Sequence, residues 1–245
     1  MVLGDGIPKI CVPIVGETRE EILAEAGKIR KIPADMVEWR IDWFDHVFDP
    51  DRLMELLGEL RGVLGSLPLL VTFRTGREGG EKAVDSETYA RINIDIAKSG
   101  LADLIDVEAF TGDEIVCRII EEAHACGTLV VGSNHEFNMT PVKEELIRRL
   151  RRIQELDADL PKIAVMPRSK RDVLSLLAAT EEMVTDYADR PIITMAMGGP
   201  GIISRLCGEV FGSAVTFGAA DKVSAPGQIG AEDLHIILHL LHKTL

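Results

Sequence analysis

Short apolar segments recur along the chain, and each is followed by a segment with helical periodicity. The apolar segments are rich in β-branched residues, which favour strands. They cover residues 9–15, 36–42, 69–74, 104–109, 129–135, 162–166, 192–197 and 214–218. Eight strands alternating with helices in 245 residues are typical of a closed (β/α)8 barrel, whereas an open doubly wound sheet usually has fewer strands. We therefore predict one α/β domain, a TIM barrel, over residues 1–245.

The predicted helices carry recognisable start signals. A Ser, Thr or Asp side chain before a helix can accept hydrogen bonds from the free N–H groups of its first turn, and proline fits the first helical position. We expect helices to begin at four such signals: Thr18 with Glu21, Asp49 with Pro50, Thr140 with Pro141, and Ser169 with Asp172.

Composition and charge narrow the classes of function. Hydrophobic residues make up 46% of the chain, and the formal net charge of -13 repels nucleic acid and anionic membrane surfaces. The apolar segments are too short to cross a bilayer, and the first residues do not form a basic leader with an apolar core. The four cysteines lack paired spacing. We expect a soluble, cytoplasmic protein that binds a small molecule and neither nucleic acid nor membrane.

A single lysine interrupts the apolar segment 160–167. Side chains alternate along a strand, so Lys162, Ala164 and Met166 share one face. Because burying an unpaired ammonium is costly, this lysine either extends its tip to solvent near a strand end or is an amine kept for chemistry. The small side chain of Ala164 leaves space for the lysine stem and for a substrate. Desolvated lysines attack carbonyls to form Schiff bases, which is the interpretation we favour.

Other polar residues are predicted at the C-terminal ends of the strands, where the catalytic groups of barrel enzymes gather. His135 ends the fifth strand, and its imidazole titrates near physiological pH, which suits proton transfer. Arg74 and Arg205 supply the cations that an anionic substrate needs. The remaining candidates are Glu38, Arg40 and Asp42 on the second strand, Glu78 in a glycine-rich turn, Asp106 and Glu108 on the fourth strand, Ser133 on the fifth, and Met195 and Met197 on the seventh.

Not every charge inside a barrel serves catalysis, because buried ions can satisfy one another. We interpret Asp42, Asp106 and Glu108 as such a structural network. The two methionines of the seventh strand are typical of apolar packing in a core or a pocket wall. The spaced histidines of the C-terminal helix suit its dipole and give little support to a metal site. We expect no metal.

Seven motifs in this order resemble the type I 3-dehydroquinate dehydratase family, lyases of the shikimate pathway. The resemblance covers almost the whole chain, and the histidine and lysine motifs are its most specific part. The motifs are EWRID at 38–42, TFR at 72–74 with EGG at 78–80, DVE at 106–108, SNHEF at 133–137 with TP at 140–141, PKIAVMP at 161–167, MAMG at 195–198 with SR at 204–205, and SAPGQ at 224–228.

The resemblance implies dehydration of 3-dehydroquinate to 3-dehydroshikimate, a step of aromatic amino acid biosynthesis, without metal or organic cofactor. It implies that Lys162 forms a Schiff base with the substrate ketone, that His135 is the general acid and base, and that Glu78 orients and tunes His135. The substrate-binding residues that it implies are Glu38, Arg40, Arg74, Arg205, Ser224 and Gln228, with Met195 and Met197 along an apolar wall. Members of the family are commonly dimeric, so we expect a homodimer.

Two residues depart from the usual pattern of the family. Glu136 stands where aspartate is more common, and Pro13 stands where some members have a small hydroxyl residue. Strand alternation points Glu136 away from His135, so we expect this departure to have little effect. Pro13 puts in doubt one secondary contact with the substrate.

Three other functions fit parts of the pattern. A class I aldolase also forms a Schiff base on a barrel lysine, but aldolases usually act on sugar phosphates, whereas Arg205 and residues 224–228 suit a carboxylate. A metal-dependent barrel lyase would use the carboxylates of the second and fourth strands as ligands. A non-catalytic barrel that binds a small acid would gain little from a buried lysine beside a histidine.

Overall fold

A ring of parallel strands lies inside a layer of helices in the computed structural model, which describes residues 2–220 and 225–245. The strands are β1 (Lys9–Ile14), β2 (Met36–Arg40), β3 (Leu69–Thr72), β4 (Leu104–Glu108), β5 (Leu129–Glu136), β6 (Leu160–Val165), β7 (Ile193–Ala196), β8 (Val215–Ala219) and β9 (Ile229–Gly230). Their order in the sheet is β7-β6-β5-β4-β3-β2-β1-β8-β9. The predicted (β/α)8 barrel is confirmed, and β9 is a short addition that pairs with β8.

Helices alternate with the strands, as the sequence predicts. They are α1 (Arg19–Ile29), α2 (Pro50–Leu64), α3 (Ser86–Lys98), α4 (Asp113–Ala125), α5 (Lys143–Glu155), α6 (Lys170–Glu182), α7 (Ile202–Leu206), α8 (Gly208–Phe211) and α9 (Ala231–His242). The short helices α7 and α8 share the connection from β7 to β8. None of the helices within 2–220 and 225–245 has the length and hydropathy that crossing a bilayer requires.

The alternation of side chains along the strands separates two apolar regions. Trp39 of β2 and Ile163 of β6 point outward and pack in the layer between strands and helices. Leu160 and Ala164 of β6 point into the barrel, where a second apolar cluster fills the interior. Lys162 lies between these two inward residues on the strand, so the same alternation carries its side chain inside.

Three of the four predicted helix starts are confirmed. Thr18 forms a capping box with Glu21, since the Thr18 hydroxyl accepts from the Glu21 N–H at 3.3 Å and Glu21 Oε2 accepts from the Thr18 N–H at 3.4 Å. The Asp49 side chain caps α2, and Ser169 forms the capping box of α6. These caps satisfy N–H groups that have no partner within the helix.

The predicted start at Thr140 and Pro141 is wrong. Helix α5 begins at Lys143, with Val142 as its N-cap residue. The Val142 carbonyl accepts from the Leu146 N–H at 3.1 Å, whereas Thr140 Oγ1 is buried and has no hydrogen-bond partner in the part of the chain that the structure describes. Thr140 therefore caps no helical N–H group, whereas Asp49 does so in front of Pro50 at α2, and α5 starts only after Val142.

The seam between β7 and β8 closes the barrel through one bridge and one side chain. Ile192 and Ser213 form an isolated parallel bridge, and the Ala214 N–H donates to the Ile192 carbonyl at 2.9 Å. Buried Ser213 Oγ accepts from the Thr194 N–H at 3.0 Å and lies 3.2 Å from the Thr194 carbonyl. At this seam the two strands form only an isolated bridge, and the Ser213 hydroxyl accepts the hydrogen bond of the Thr194 N–H in place of a strand ladder.

We expect Ser213→Ala to lower the free energy of unfolding by about 1–3 kcal/mol, because it leaves the buried Thr194 N–H without an acceptor. Chemical denaturation of the variant and the unchanged protein measures the difference. Ser66→Ala, at an exposed turn position, is the matched control and should change stability by less than about 0.5 kcal/mol. Equal effects of the two substitutions would contradict the role of Ser213 at the seam.

Candidate active site

A cavity of about 150 Å³ lies at the C-terminal ends of the strands. Its lining residues are Glu38, Arg40, Arg74, Glu78, Gly79, His135, Phe137, Lys162, Ala164, Met195, Met197, Arg205, Phe217, Ala225, Pro226 and Gln228. The structure therefore brings together the described residues for which the family resemblance implies catalysis or substrate binding, whereas the lining does not include Asp42, Asp106, Glu108 or Ser133. Ser224 lies outside the described residues.

Lys162 lies deep in this cavity, with 3% of its surface exposed. Its Nζ is 3.5 Å from Asp106 Oδ2 and 3.7 Å from Glu38 Oε1, and it lies 4.4 Å from the centre of the Phe217 ring. Both carboxylate distances are longer than those of a direct hydrogen bond. The amine is held by charge and by an aromatic face, and it remains open to a reacting carbon from the cavity.

Glu78 holds His135 from one side of the cavity. Glu78 Oε2 lies 3.0 Å from His135 Nδ1 and accepts from the His135 backbone N–H at 2.9 Å. Carboxylate contact at Nδ1 favours the tautomer with its proton on Nδ1, which makes Nε2 the acceptor that a ligand can meet. His135 is thus oriented as a base.

Burial shifts both members of this pair. Desolvation lowers the pKa of His135 well below its usual value, and the positive charges of Arg74, Lys162 and Arg40 lower it further. Desolvation raises the pKa of Glu78 to about 8, against the opposing effects of Arg74 and of hydrogen bonds from its neighbours. The imidazole is therefore neutral near physiological pH, and the glutamate changes charge at mildly alkaline pH.

Arg74 is surrounded by carboxylates. Its Nη2 lies 2.7 Å from Asp106 Oδ1, and its Nη1 lies 3.1 Å from Glu108 Oε1 and 3.6 Å from Glu78 Oε2. Burial opposes the charge of Arg74, but these carboxylates outweigh it and hold the pKa well above the usual value. The contacts agree with the interpretation of Asp106 and Glu108 as a structural network. Arg74 therefore pairs with these carboxylates of the protein as well as lining the cavity that a ligand would enter.

Asp42 belongs to a second buried pair. Arg40 donates to both Asp42 oxygens at 2.8 Å in a bidentate arrangement. Asp42 also accepts from the backbone N–H groups of Arg74 and Glu81, at 3.3 and 3.1 Å. Asp42 therefore fixes the loop that carries Glu78, and the prediction that it is structural agrees with its contacts.

Arg205 differs from both of these arginines. It is 2% exposed, and its Nη2 donates to the Pro226 carbonyl at 3.3 Å while Nη1 lies 3.7 Å from Met195 Sδ. Nε has no hydrogen-bond partner, and within residues 2–220 and 225–245 no carboxylate pairs with this guanidinium. Burial lowers the pKa of Arg205 to about 10. A buried arginine without a carboxylate is suited to bind an anion.

The segment 225–228 covers the Arg205 side of the cavity. The Gly198 N–H donates to the Pro226 carbonyl at 3.0 Å. Gly227 has φ of 79°, and a Cβ there would lie 2.5 Å from the Gly198 carbonyl oxygen. Only glycine fits both the left-handed backbone and this close approach. Pro226 and Gln228 are thereby held at the cavity wall.

Several residues of the site were missed in the sequence. Phe217 is one that could have been found, because alternation along β8 places it inside the barrel with Val215. Asn134 gave no such signal, since it lies on the opposite face of β5 from Ser133 and His135. Its Nδ2 nevertheless donates to Glu78 Oε1 at 3.1 Å. Phe137 stacks against His135 with ring centres 6.4 Å apart, a contact that depends on the loop after β5.

The fold and the cavity together define a class: a (β/α)8-barrel enzyme with a buried lysine, an oriented histidine and an arginine that no described carboxylate pairs, all in one pocket. Comparison with known proteins narrows this class. The model of the type I 3-dehydroquinase family matches residues 10–245. A 3-dehydroquinate dehydratase from Clostridioides difficile strain 630 is 53% identical over 245 residues, which are 100% of this chain and 96% of that protein.

Solved structures agree with the sequence comparison. The type I 3-dehydroquinate dehydratase of Clostridium difficile with covalently modified comenic acid has a TM-score of 0.98 at 53% identity, covering 100% of this chain and 96% of that one. The 3-dehydroquinate dehydratase of Geobacillus kaustophilus HTA426 has a TM-score of 0.94 at 40% identity, covering 99% and 96%. The chain belongs to the type I 3-dehydroquinase family. The family resemblance of the sequence motifs is confirmed, and so is the expectation of an enzyme of the shikimate pathway.

Proposed function

We propose that this protein dehydrates 3-dehydroquinate to 3-dehydroshikimate through a Schiff base on Lys162. The observation that carries the proposal is the convergence of Lys162, the His135–Glu78 pair and Arg205 in one buried cavity. The crystal structure of the C. difficile relative contains covalently modified comenic acid, and this supports a covalent step here. No metal or organic cofactor is needed for the chemistry that these side chains supply.

Formation of the Schiff base comes first. The neutral amine of Lys162 attacks the ketone carbon of the substrate, and the ketone oxygen leaves as water after it gains two protons, one released by the attacking nitrogen and one taken from solvent. The resulting iminium withdraws electrons from the neighbouring carbon and makes its proton more acidic. His135 Nε2 assists by exchanging protons with the departing oxygen.

Elimination follows on the same atoms. His135 Nε2 takes the proton from the carbon beside the iminium, and the electrons of that C–H bond move to the nitrogen to give an enamine. When these electrons move back from the nitrogen into the ring, the bond between the ring and the hydroxyl group breaks. The hydroxyl takes a proton from His135 and leaves as water. Water then hydrolyses the product iminium and restores the Lys162 amine.

Substrate binding follows from the charges of the cavity. Arg205 pairs with the substrate carboxylate, because its guanidinium has no carboxylate of the protein to oppose it within the described residues. Gln228 contacts the same end of the substrate, and for Ser224, which lies outside the described residues, the same role is proposed from the family resemblance alone. Glu38, Arg40 and Arg74 position the ring hydroxyls, and Met195 with Met197 forms the apolar wall. One end of the site therefore anchors the anion while the other performs the chemistry.

We further propose that residues 1–245 form one catalytic domain and that the protein is a cytoplasmic homodimer. Exposed apolar side chains on α7, α8 and α9, among them Ile203, Val210 and Ile236, support self-association. These helices are connected, since α7 packs on α9 and His242 Nδ1 lies 2.7 Å from Glu209 Oε1 of α8. The net charge of -13 supports a small-molecule substrate and no nucleic acid partner.

Borohydride reduction in the presence of 3-dehydroquinate should leave a stable adduct on the peptide that contains Lys162, because it converts the iminium to an amine. Intact mass and a tryptic map locate the adduct. Lys162→Arg keeps the charge but should give no adduct and no turnover. Lys98→Ala, at an exposed lysine of α3, should behave like the unchanged protein. Turnover without an adduct would contradict the Schiff base while keeping the substrate.

The value of kcat should rise by about tenfold between pH 7 and a plateau above pH 8, since the pKa of Glu78 is about 8. Protonated Glu78 donates to Nδ1 and leaves the ring proton on Nε2, whereas the ionised carboxylate accepts from Nδ1 and frees Nε2 as a base. A steady-state pH profile measures this limb. Glu78→Gln should abolish it and lower the plateau by about tenfold or more. An unchanged limb in that variant would assign it to another group.

Arg205→Met should raise KM for 3-dehydroquinate by about tenfold to a hundredfold, because hydrogen bonds to charged groups contribute about 1.5–3 kcal/mol. We expect a smaller change in kcat, since Arg205 binds the carboxylate and not the reacting carbons. Arg77→Met, at an exposed arginine in the turn before Glu78, should leave KM unchanged. A normal KM in the Arg205 variant would place the carboxylate elsewhere.

A further inference from the structure

The side chain of Asn134 connects the active site to a helix outside the barrel. Asn134 lies on β5 and is 8% exposed. Its Nδ2 donates to Glu78 Oε1 at 3.1 Å, and its Oδ1 accepts from Arg149 Nη1 at 3.0 Å. Arg149 belongs to α5, and it does not line the cavity. A chain of hydrogen bonds thus runs from Arg149 through Asn134 and Glu78 to His135.

The chemistry of the two partners fixes which way the Asn134 amide points. A guanidinium only donates hydrogen bonds, so it takes the amide oxygen. That leaves the NH2 group to face Glu78. In the flipped amide, two donors would face each other at Arg149 and two acceptors would face each other at Glu78. Arg149 therefore selects the orientation in which Asn134 donates to the glutamate.

We propose that Arg149 is a positioning residue of this enzyme, which acts on the Glu78–His135 pair through the orientation of Asn134. The inference rests on the proposed function, because it assumes that this pair transfers protons. Glu78 then accepts hydrogen bonds from Asn134 and from the His135 backbone N–H, one on each oxygen. Both favour the ionised carboxylate, which is the form that leaves His135 Nε2 free as a base.

The position of Arg149 is itself fixed from its own helix. Its Nε donates to Glu145 Oε1 at 2.8 Å, one turn earlier on α5, and its Nη1 lies 4.0 Å from Glu136 Oε2. Glu136 extends toward this arginine, in agreement with the prediction that it points away from His135. The Arg149 side chain is about one-fifth exposed, at 21%. A partly buried, two-point attachment of this kind holds the end of the guanidinium that reaches Asn134.

Other charges also face Glu78 and act on it independently of Arg149. Arg74, after β3, lies 3.6 Å away and favours the ionised form. Glu108 of β4 opposes ionisation. His135 on β5 contacts the carboxylate directly, and its own charge state responds to Arg74, Lys162 and Arg40. Removal of Arg149 leaves all of these in place, so its effect can be separated from theirs.

The test compares Arg149→Met with Arg148→Met. Both arginines bind Glu145 from α5, but among the described residues Arg148 donates only to Glu145, and its side chain is 63% exposed. We expect Arg149→Met to move the rising limb of the kcat profile to a pH about one unit higher. This is the size expected from the loss of one hydrogen bond to a charged group. At pH 7 kcat should fall about tenfold with KM unchanged. Arg148→Met should show neither change.

A double-mutant cycle separates the relay from a simple loss of positive charge. Asn134→Ala removes the donor to Glu78 and should shift the limb by a similar amount. If Arg149 acts through Asn134, Arg149→Met should add almost nothing in the Asn134→Ala background. Additive shifts would overturn the proposal, and so would a limb that does not move in Arg149→Met. If Arg149→Met is poorly folded, Arg149→Lys takes its place. Because lysine keeps one donor, the limb in Arg149→Lys should lie between those of the unchanged protein and of Asn134→Ala.

A second readout does not depend on turnover. Nitrogen-15 NMR of histidine-labelled protein reports the His135 tautomer as Glu78 ionises, with His135→Gln providing the assignment. The same upward shift is expected in Arg149→Met and its absence would overturn the proposal. Failure of the proposed function would instead appear as no lysine adduct and no turnover in the unchanged protein, whatever the NMR titration gives.

Discussion

The electrostatic balance around Arg74 is the constraint on which the rest of the site depends. Carboxylates inside a barrel are stable only when cations and hydrogen bonds compensate them, because isolated buried charges are strongly disfavoured. Arg74 compensates Asp106 and Glu108 directly and lies near Glu78. Asp106 in turn faces the Lys162 amine. One guanidinium thus links the proposed nucleophile, the partner of the proposed base and the buried carboxylates.

The arginines of the cavity have different tasks because their partners differ. Arg40 and Arg74 already have carboxylate partners and serve chiefly to organise the interior. Arg205 contacts a backbone carbonyl and a thioether sulfur, so an anion that enters the cavity gains an interaction that no carboxylate within residues 2–220 and 225–245 supplies. The contrast explains how a protein with a net charge of -13 can hold an anionic substrate: the attraction is local and buried, where solvent screens it little.

Sequence patterns predicted the elements better than the contacts at their ends. The strands fell where β-branched segments predicted them, since both faces of a barrel strand are buried and the apolar pattern is strong. The predicted start of α5 at Thr140 was wrong because the Thr140 hydroxyl is buried without a hydrogen-bond partner among the described residues, and a local signal does not show which side chains the fold will bury. Arg74 lies in the cavity as expected. Its ion pairs with Asp106 and Glu108 could be predicted only with the knowledge that β4 lies beside β3.

By itself, the sequence determined the alternation of strands and helices, the inward face of Lys162, the end-of-strand position of His135, and the family motifs. These are properties of short range, fixed by the period of a strand and by residue chemistry. Only the tertiary structure decided which charges pair, which arginine lacks a carboxylate partner among the described residues, and that Asn134 and Arg149 reach the Glu78–His135 pair from the outer face of β5. The reason is physical: hydrogen bonds and ion pairs depend on distances of about 3 Å between groups far apart in the chain, and those distances exist only after the barrel closes.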